Sequence, residues 1–223
     1  MTDIAYKLLT KDRTSRNGCK WEPGEWKETS GEGDLCGPGW LHFYSHPLLA
    51  VLLNPIHANI ADPVLWECET GGERKDDNGQ KHGRTRARIV RELPLPVVTV
   101  VQRVRFGLLC ALESPQSVNY KKWAAGWLDG SDRTRKSARA AAATYAACAA
   151  ACAAGAAAAA RAAAYHAAAA AYNAAAAACA AAAAYRHGVA NIDLIAIAEK
   201  AIADEDAYER SRAARERSDE PEH

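Results

Sequence analysis

From Ala138 to Tyr185 the chain is almost nothing but alanine. Alanine is the strongest helix former and brings no reactive group. The stretch therefore predicts helical scaffold or contact surface, and places any chemistry before Ala138. A single helix of this length would be about 75 Å long. The larger residues within it are ordered. Tyr145, Cys148, Cys152 and Gly155 share one helical stripe, and Arg161, Tyr165, Tyr172 and Cys179 share another. The last three are spaced by seven, as in a coiled-coil seam. The change of phase predicts a discontinuity near Gly155, and small side chains predict closely packed helices. Tyr145, Tyr165, Tyr172 and Arg161 are the expected interaction residues. Arg139 and Arg161 punctuate the stretch, and Arg186 follows it. Each such charge costs a few kcal/mol in hydrocarbon, so no membrane span is expected.

Much of the 49% apolar composition is this alanine. The chain has two Phe and one Met but six Trp, and all six Trp precede the block. The hydrophobic core is therefore expected in the first 130 residues. A formal charge of +1 gives no overall basic field for nucleic acid. Seven cysteines form no dense framework, which fits a reducing compartment. The segment MTDIAYKLLTKDR has no apolar run of the signal-peptide kind. A cytoplasmic location follows as the expectation.

The fold class expected is α+β: a small N-terminal antiparallel β-rich domain followed by an all-α, alanine-rich, closely packed helical region. Strands are expected at Ala5–Leu9 and Trp40–Tyr44, and at Pro63–Thr70, where apolar and polar residues alternate. Ser45 and Pro47 open a short helix ending near Leu53. Residues 71–86 read as a polar hairpin connection, after which Ala87–Leu93 pairs back. Helices are expected over Val97–Glu113, Gln116–Leu128 and Ile192–Arg212. The divisions are then 1–93 for the β-rich domain, 94–130 for connecting helices, 131–212 for the alanine-rich region and 213–223 for a frayed charged tail.

No P-loop, dinucleotide glycine motif, zinc-protease helix or nucleophile elbow is present in the sequence. Three weaker constellations remain. Lys7, Tyr44 and the Glu67-Cys68-Glu69 pattern follow the order of an ADP-ribosyltransferase-like enzyme, in which a glutamate stabilises charge on a ribose. That reading would use NAD; otherwise no cofactor is expected. Glu67 and Glu69 also fit an ordinary half-exposed strand. Cys19, Cys36, His42 and His46 supply a Cys₂His₂ donor set without a Cys-x-x-Cys anchor, and two buried cysteines with two loop histidines read equally well. Arg84, Arg86 and Arg88, with Lys81 and His82, form a basic hairpin able to bind a small anion or nucleotide, or simply to be solvated.

Certain stretches resemble a known family. Ala5-Tyr6-Lys7, Gly18-Cys19-Lys20-Trp21-Glu22-Pro23-Gly24, Cys36-Gly37-Pro38-Gly39-Trp40-Leu41-His42-Phe43-Tyr44 and Pro47-Leu48 occur in the order of an N-terminal domain common in phage and bacterial genomes. Trp40-Leu41 interrupts the Gly-Phe-His of that family, and Tyr44 replaces its cysteine. The Trp123-to-Arg133 stretch running into alanine resembles the C-terminal half of such proteins and alanine-rich immunity proteins found near toxin genes. The resemblance implies a phage or mobile-element accessory protein in a bacterial host. It implies no reaction. The leading expectation is a non-enzymatic protein that binds a host, defence or toxin protein, or itself, through its alanine-rich helices.

Overall fold

A computed structural model describes residues 2–54, 57–77, 79–113, 118–134 and 192–218. The alanine-rich stretch, with Tyr145, Arg161, Tyr165, Tyr172 and the expected break at Gly155, lies outside the described residues. The chain divides into two compact units, residues 1–98 with 190–195, and residues 99–189 with 196–223. The α+β class holds: an antiparallel sheet comes first and helices follow.

The first unit contains five strands, β1 (Asp3–Leu9), β2 (Lys27–Glu28), β3 (Leu41–Phe43), β4 (Val64–Asp76) and β5 (His82–Leu93). The order is β1-β4-β5-β2, with β3 also paired to β5, and every pairing is antiparallel. Just past β3, Tyr44 bridges back to Tyr6 of β1 through two backbone hydrogen bonds of 2.9 and 2.8 Å. The sheet thus curls until its first strand meets the end of β3. Register shifts at Glu67/Cys68 and between Gly71 and Arg74 bend the long β4–β5 ribbon. Gly72 makes the second shift possible. Its φ is +71°, and a Cβ there would overlap Thr85 Oγ1.

Alternate residues of each strand face one side of the pleat. Ala5, Lys7 and Leu9 of β1 lie opposite Cys68, Trp66 and Val64 of β4. This side carries the core: Ala5, Leu9, Trp21, Phe43, Trp66, Cys68, Ala87 and Ile89. Strand periodicity therefore drives Lys7 into an apolar interior.

The polar segment 71–86 is mostly strand rather than loop, since β4 continues to Asp76 and β5 begins at His82. Its polarity reflects solvent exposure of a projecting ribbon, where the ladder satisfies the backbone and the side chains meet water. The first helix, α1 (Pro47–Leu53), has His46 rather than Ser45 at its N-cap, with the imidazole Nδ1 accepting from Leu48 N–H. Its residues Leu49–Leu53 are buried.

Among the described residues, the second unit holds α2 (Val100–Leu112), α3 (Val118–Leu128) and all but the first two residues of α4 (Leu194–Ser218). α4 runs to Ser218, beyond the end expected at Arg212. Val104 and Leu108 of α2 pack with Tyr120, Ala124 and Trp127 of α3. Thr99 and Gln102 form a reciprocal capping box at the start of α2. Thr99→Ala removes the side-chain half of it and is expected to cost about 1 kcal/mol. A lower urea midpoint at unchanged m-value would register that loss.

Candidate functional site

Lys7 is 8% exposed, and His42 O is the one hydrogen-bond acceptor its ammonium has among the described residues, at 2.8 Å. The Trp21 and Phe43 ring centroids lie 5.1 and 4.9 Å from Nζ. The rings attract a cation weakly through their quadrupoles. No carboxylate pairs with Lys7 among the described residues. Burial therefore dominates and pulls its pKa down from 10.5 to about 8, while the nearby Cys68 and Cys19 thiols oppose the shift.

Lys7 lines a cavity of about 530 Å³ at the closure of the sheet. Other parts of the first unit bring in the remaining wall. The loop between Thr14 and Lys20, held by a backbone bridge, supplies Ser15, Arg16 and Asn17. The β4–β5 turn supplies Lys81, and the backbone after α1 supplies His57. Strand β3 and its extension supply His42, Phe43 and Tyr44. Arg16 Nη1 donates to His57 O at 2.6 Å, tying two of these parts together.

The charged side chains of the described lining are all cationic. Lys7, Arg16 and Lys81 all line the cavity, and no carboxylate does among the described residues. Lys81 is partly compensated by Asp77 at 3.5 Å. The histidines report the same sign. Burial lowers the His57 pKa to about 3, with Lys81, His42 and Arg16 adding to the shift. Burial also lowers that of His42; its contact with Leu35 O opposes this, and Lys7 and Lys81 reinforce it. Both rings are therefore neutral at pH 7. The contact of His42 Nε2 with the Leu35 carbonyl fixes the proton on Nε2. The Tyr44 ring stacks on His57 at 5.9 Å, and burial raises its hydroxyl pKa above the usual phenol range. The hydroxyl thus remains a donor.

Of the residues singled out from sequence, Lys7, Tyr44, Cys36 and His42 line this one cavity. Glu67 and Glu69 do not. They pair across β1 with Tyr6 and Ile4, on the opposite side of the pleat from Lys7. Glu67 receives two hydrogen bonds from Arg91, at 2.9 and 2.8 Å, and Glu69 is paired with Arg88 at 2.7 Å. Cys19 packs against the core and His46 caps α1, so the four sulfur and nitrogen donors are not brought together. Among the described residues no cluster of three or more His, Cys, Asp or Glu is placed to hold a metal ion.

The hairpin arginines are engaged elsewhere. Arg84 is buried against Asp3, Arg86 pairs with Glu28 at 3.2 Å, and Arg86 and Arg88 both lie over the Trp26 ring. Arg16 and His57 were not singled out from sequence. They stand 41 residues apart and meet only because the fold closes.

The exposed Cys36 thiol accepts from Lys81 Nζ at 3.4 Å, which adds a soft, polarisable group to the cavity mouth. Among the described residues no helix is long and apolar enough to cross a membrane.

Neither the curated proteins nor the solved structures contain a match to the chain. A family model does match, and it falls on the unit that carries the sheet and the cavity: residues 4–100 match a domain of unknown function (DUF7666).

Proposed function

We propose that the first unit binds a small organic anion, a phosphate or carboxylate compound, in the Lys7 cavity. The observation that carries this reading is the lining: three cationic side chains and no carboxylate among the described residues. A buried ammonium without a counter-ion is costly, and a bound anion supplies the missing charge. The volume of about 530 Å³ falls within the range of small-molecule sites. The apolar share of the wall, from Leu8, Phe43 and Ala58, suits the carbon skeleton of such a ligand.

Calorimetry of the full chain with inorganic phosphate, adenosine monophosphate and pyruvate tests the reading. At least one anion is expected to bind, and Arg16→Gln with Lys81→Gln to weaken it about ten- to hundredfold, the range of a charge-assisted hydrogen bond. Binding by none of the three, or equal binding by the double variant, contradicts it.

For the alanine-rich stretch the proposal is contact with a protein partner or a second copy of the chain. Its composition supports this, because alanine lets helices approach closely and offers no chemistry. A setting as a phage or mobile-element accessory protein in a bacterial cell rests on the resemblance of Tyr6-Lys7 and Cys36-to-Tyr44 to the family described above. Size measurement across a concentration series, with and without residues 138–185, separates self-association from binding a different partner.

A further inference from the structure

The geometry points to a covalent property of the same cavity: the Lys7 amine condenses with the carbonyl group of a small keto or aldehyde acid whose acid group rests on Arg16 and Lys81. This rests on the anion-binding reading and narrows its ligand to acids that also carry a carbonyl.

Two lysines line the cavity, and their surroundings differ. Lys81 faces Asp77 at 3.5 Å and Cys36 Sγ at 3.4 Å. Lys7 has no acidic partner among the described residues. Its single acceptor, His42 O, engages one N–H, and the Trp21 and Phe43 rings stand around the nitrogen. In the neutral amine this leaves a lone pair and one further N–H uncommitted. Burial lowers the Lys7 pKa to about 8, so the neutral share at pH 7 is a few hundred times that of an ordinary lysine. A desolvated lysine amine is the form that attacks carbonyl compounds.

The step balances without any further reactant. The nitrogen lone pair forms a bond to the carbonyl carbon, and the C=O π pair moves to oxygen, which takes up a proton. The resulting carbinolamine expels that oxygen as water, using a second proton, and a C=N bond remains. Both protons replace those lost from nitrogen. The apolar walls at Leu8 and Phe43 slow return of water to the product. Arg16 and Lys81 supply the charge that holds the acid group, so the carbonyl rather than the carboxylate is presented to Lys7.

The test incubates the full chain at neutral pH with pyruvate, reduces with borohydride and maps the modified lysines by mass spectrometry. A parallel calorimetric titration uses lactate, which keeps the carboxylate and lacks the carbonyl. The expected result is an adduct at Lys7 at least about tenfold above that at any other lysine, as its larger neutral fraction requires. Excess lactate is expected to suppress it. Adducts spread over exposed lysines, or none at all, while lactate still binds, overturn the condensation and leave anion binding standing. Absence of both the Lys7 adduct and lactate binding overturns both. A Lys7 adduct that lactate does not suppress supports condensation and removes the role given to Arg16 and Lys81.

Discussion

Replacing Lys7 with methionine is expected to stabilise the folded chain at neutral pH by about 2 kcal/mol. The shift from 10.5 to about 8 is a burial penalty on the charged form, worth about 3 kcal/mol at 1.36 kcal/mol per pK unit. The orphaned His42 carbonyl returns about 1 kcal/mol of that gain. The sign of the pH dependence follows from proton counts. Between pH 8 and 10.5 the unfolded lysine holds a proton that the folded one has released, so wild-type stability rises with pH through that window. The methionine variant lacks this term. Its advantage is therefore greatest below pH 8 and shrinks as pH approaches 10.5. Paired urea titrations at pH 7 and pH 10 measure the gap. A variant less stable than wild type at pH 7, or a gap independent of pH, contradicts the assignment. A stabilising loss of a buried lysine also indicates a residue retained for what it does rather than for how it packs.

Glu205→Leu is expected to have the opposite effect on the second unit, a loss of about 3–5 kcal/mol. Glu205 of α4 is 3% exposed and pairs with Arg105 of α2 and with Arg133, each at 2.8 Å. Burial alone would raise its pKa, but the hydrogen bonds and charges of Arg133 and Arg105 outweigh burial and hold it below the usual carboxylate value. Arg105 is 4% exposed, donates also to Leu128 O at 2.6 Å, and would be left with Asp204 at 4.0 Å as its remaining carboxylate among the described residues. Arg133 is further tied to this corner, stacked between the Trp127 and Tyr208 rings at 4.6 Å from each. Converting Arg105 to methionine in the Glu205→Leu background is expected to restore much of the loss, since an apolar pair replaces the ionic one. Because the folded-state pKa is depressed, the contribution of Glu205 is full above the ordinary carboxylate range and disappears as pH falls through its lowered value. Chemical denaturation of Glu205→Leu, Arg105→Met and the double variant at pH 7 checks the magnitudes. Additive losses in the double variant would contradict the coupling.

The sheet was legible because its signals are local. The strand expected at Ala5–Leu9 and the alternation at Pro63–Thr70 survive in β1 and β4, and the switch to helix after Pro96 survives in α2. The misreading of 71–86 has a plain cause, since exposed ribbon and loop share a polar composition. The site was half legible. Lys7 and Tyr44 stood out as one constellation and Cys36 and His42 as another, and nothing in the sequence joins the two. Arg16 and His57 carried no sequence signal, because a loop arginine and a histidine after a short helix are common anywhere. The Tyr6–Tyr44 bridge and the Arg16–His57 hydrogen bond belong to the closure that places them on the same cavity as Lys7. Glu67 was read from spacing alone. Spacing says nothing of which side of the pleat a residue takes relative to another strand, and pairing with Tyr6 decides that.

The central claim is that Lys7 is a buried cation awaiting an anion. Lysine-selective ¹³Cε labelling and a pH titration by NMR, with and without inorganic phosphate, address it directly. The account predicts one lysine, removed from the spectrum by Lys7→Met, that titrates near 8 in the unliganded chain. Phosphate is expected to shift its midpoint upward, because an adjacent anion favours the charged amine. A Lys7 resonance that titrates at the ordinary lysine value of 10.5, unmoved by phosphate, would contradict it.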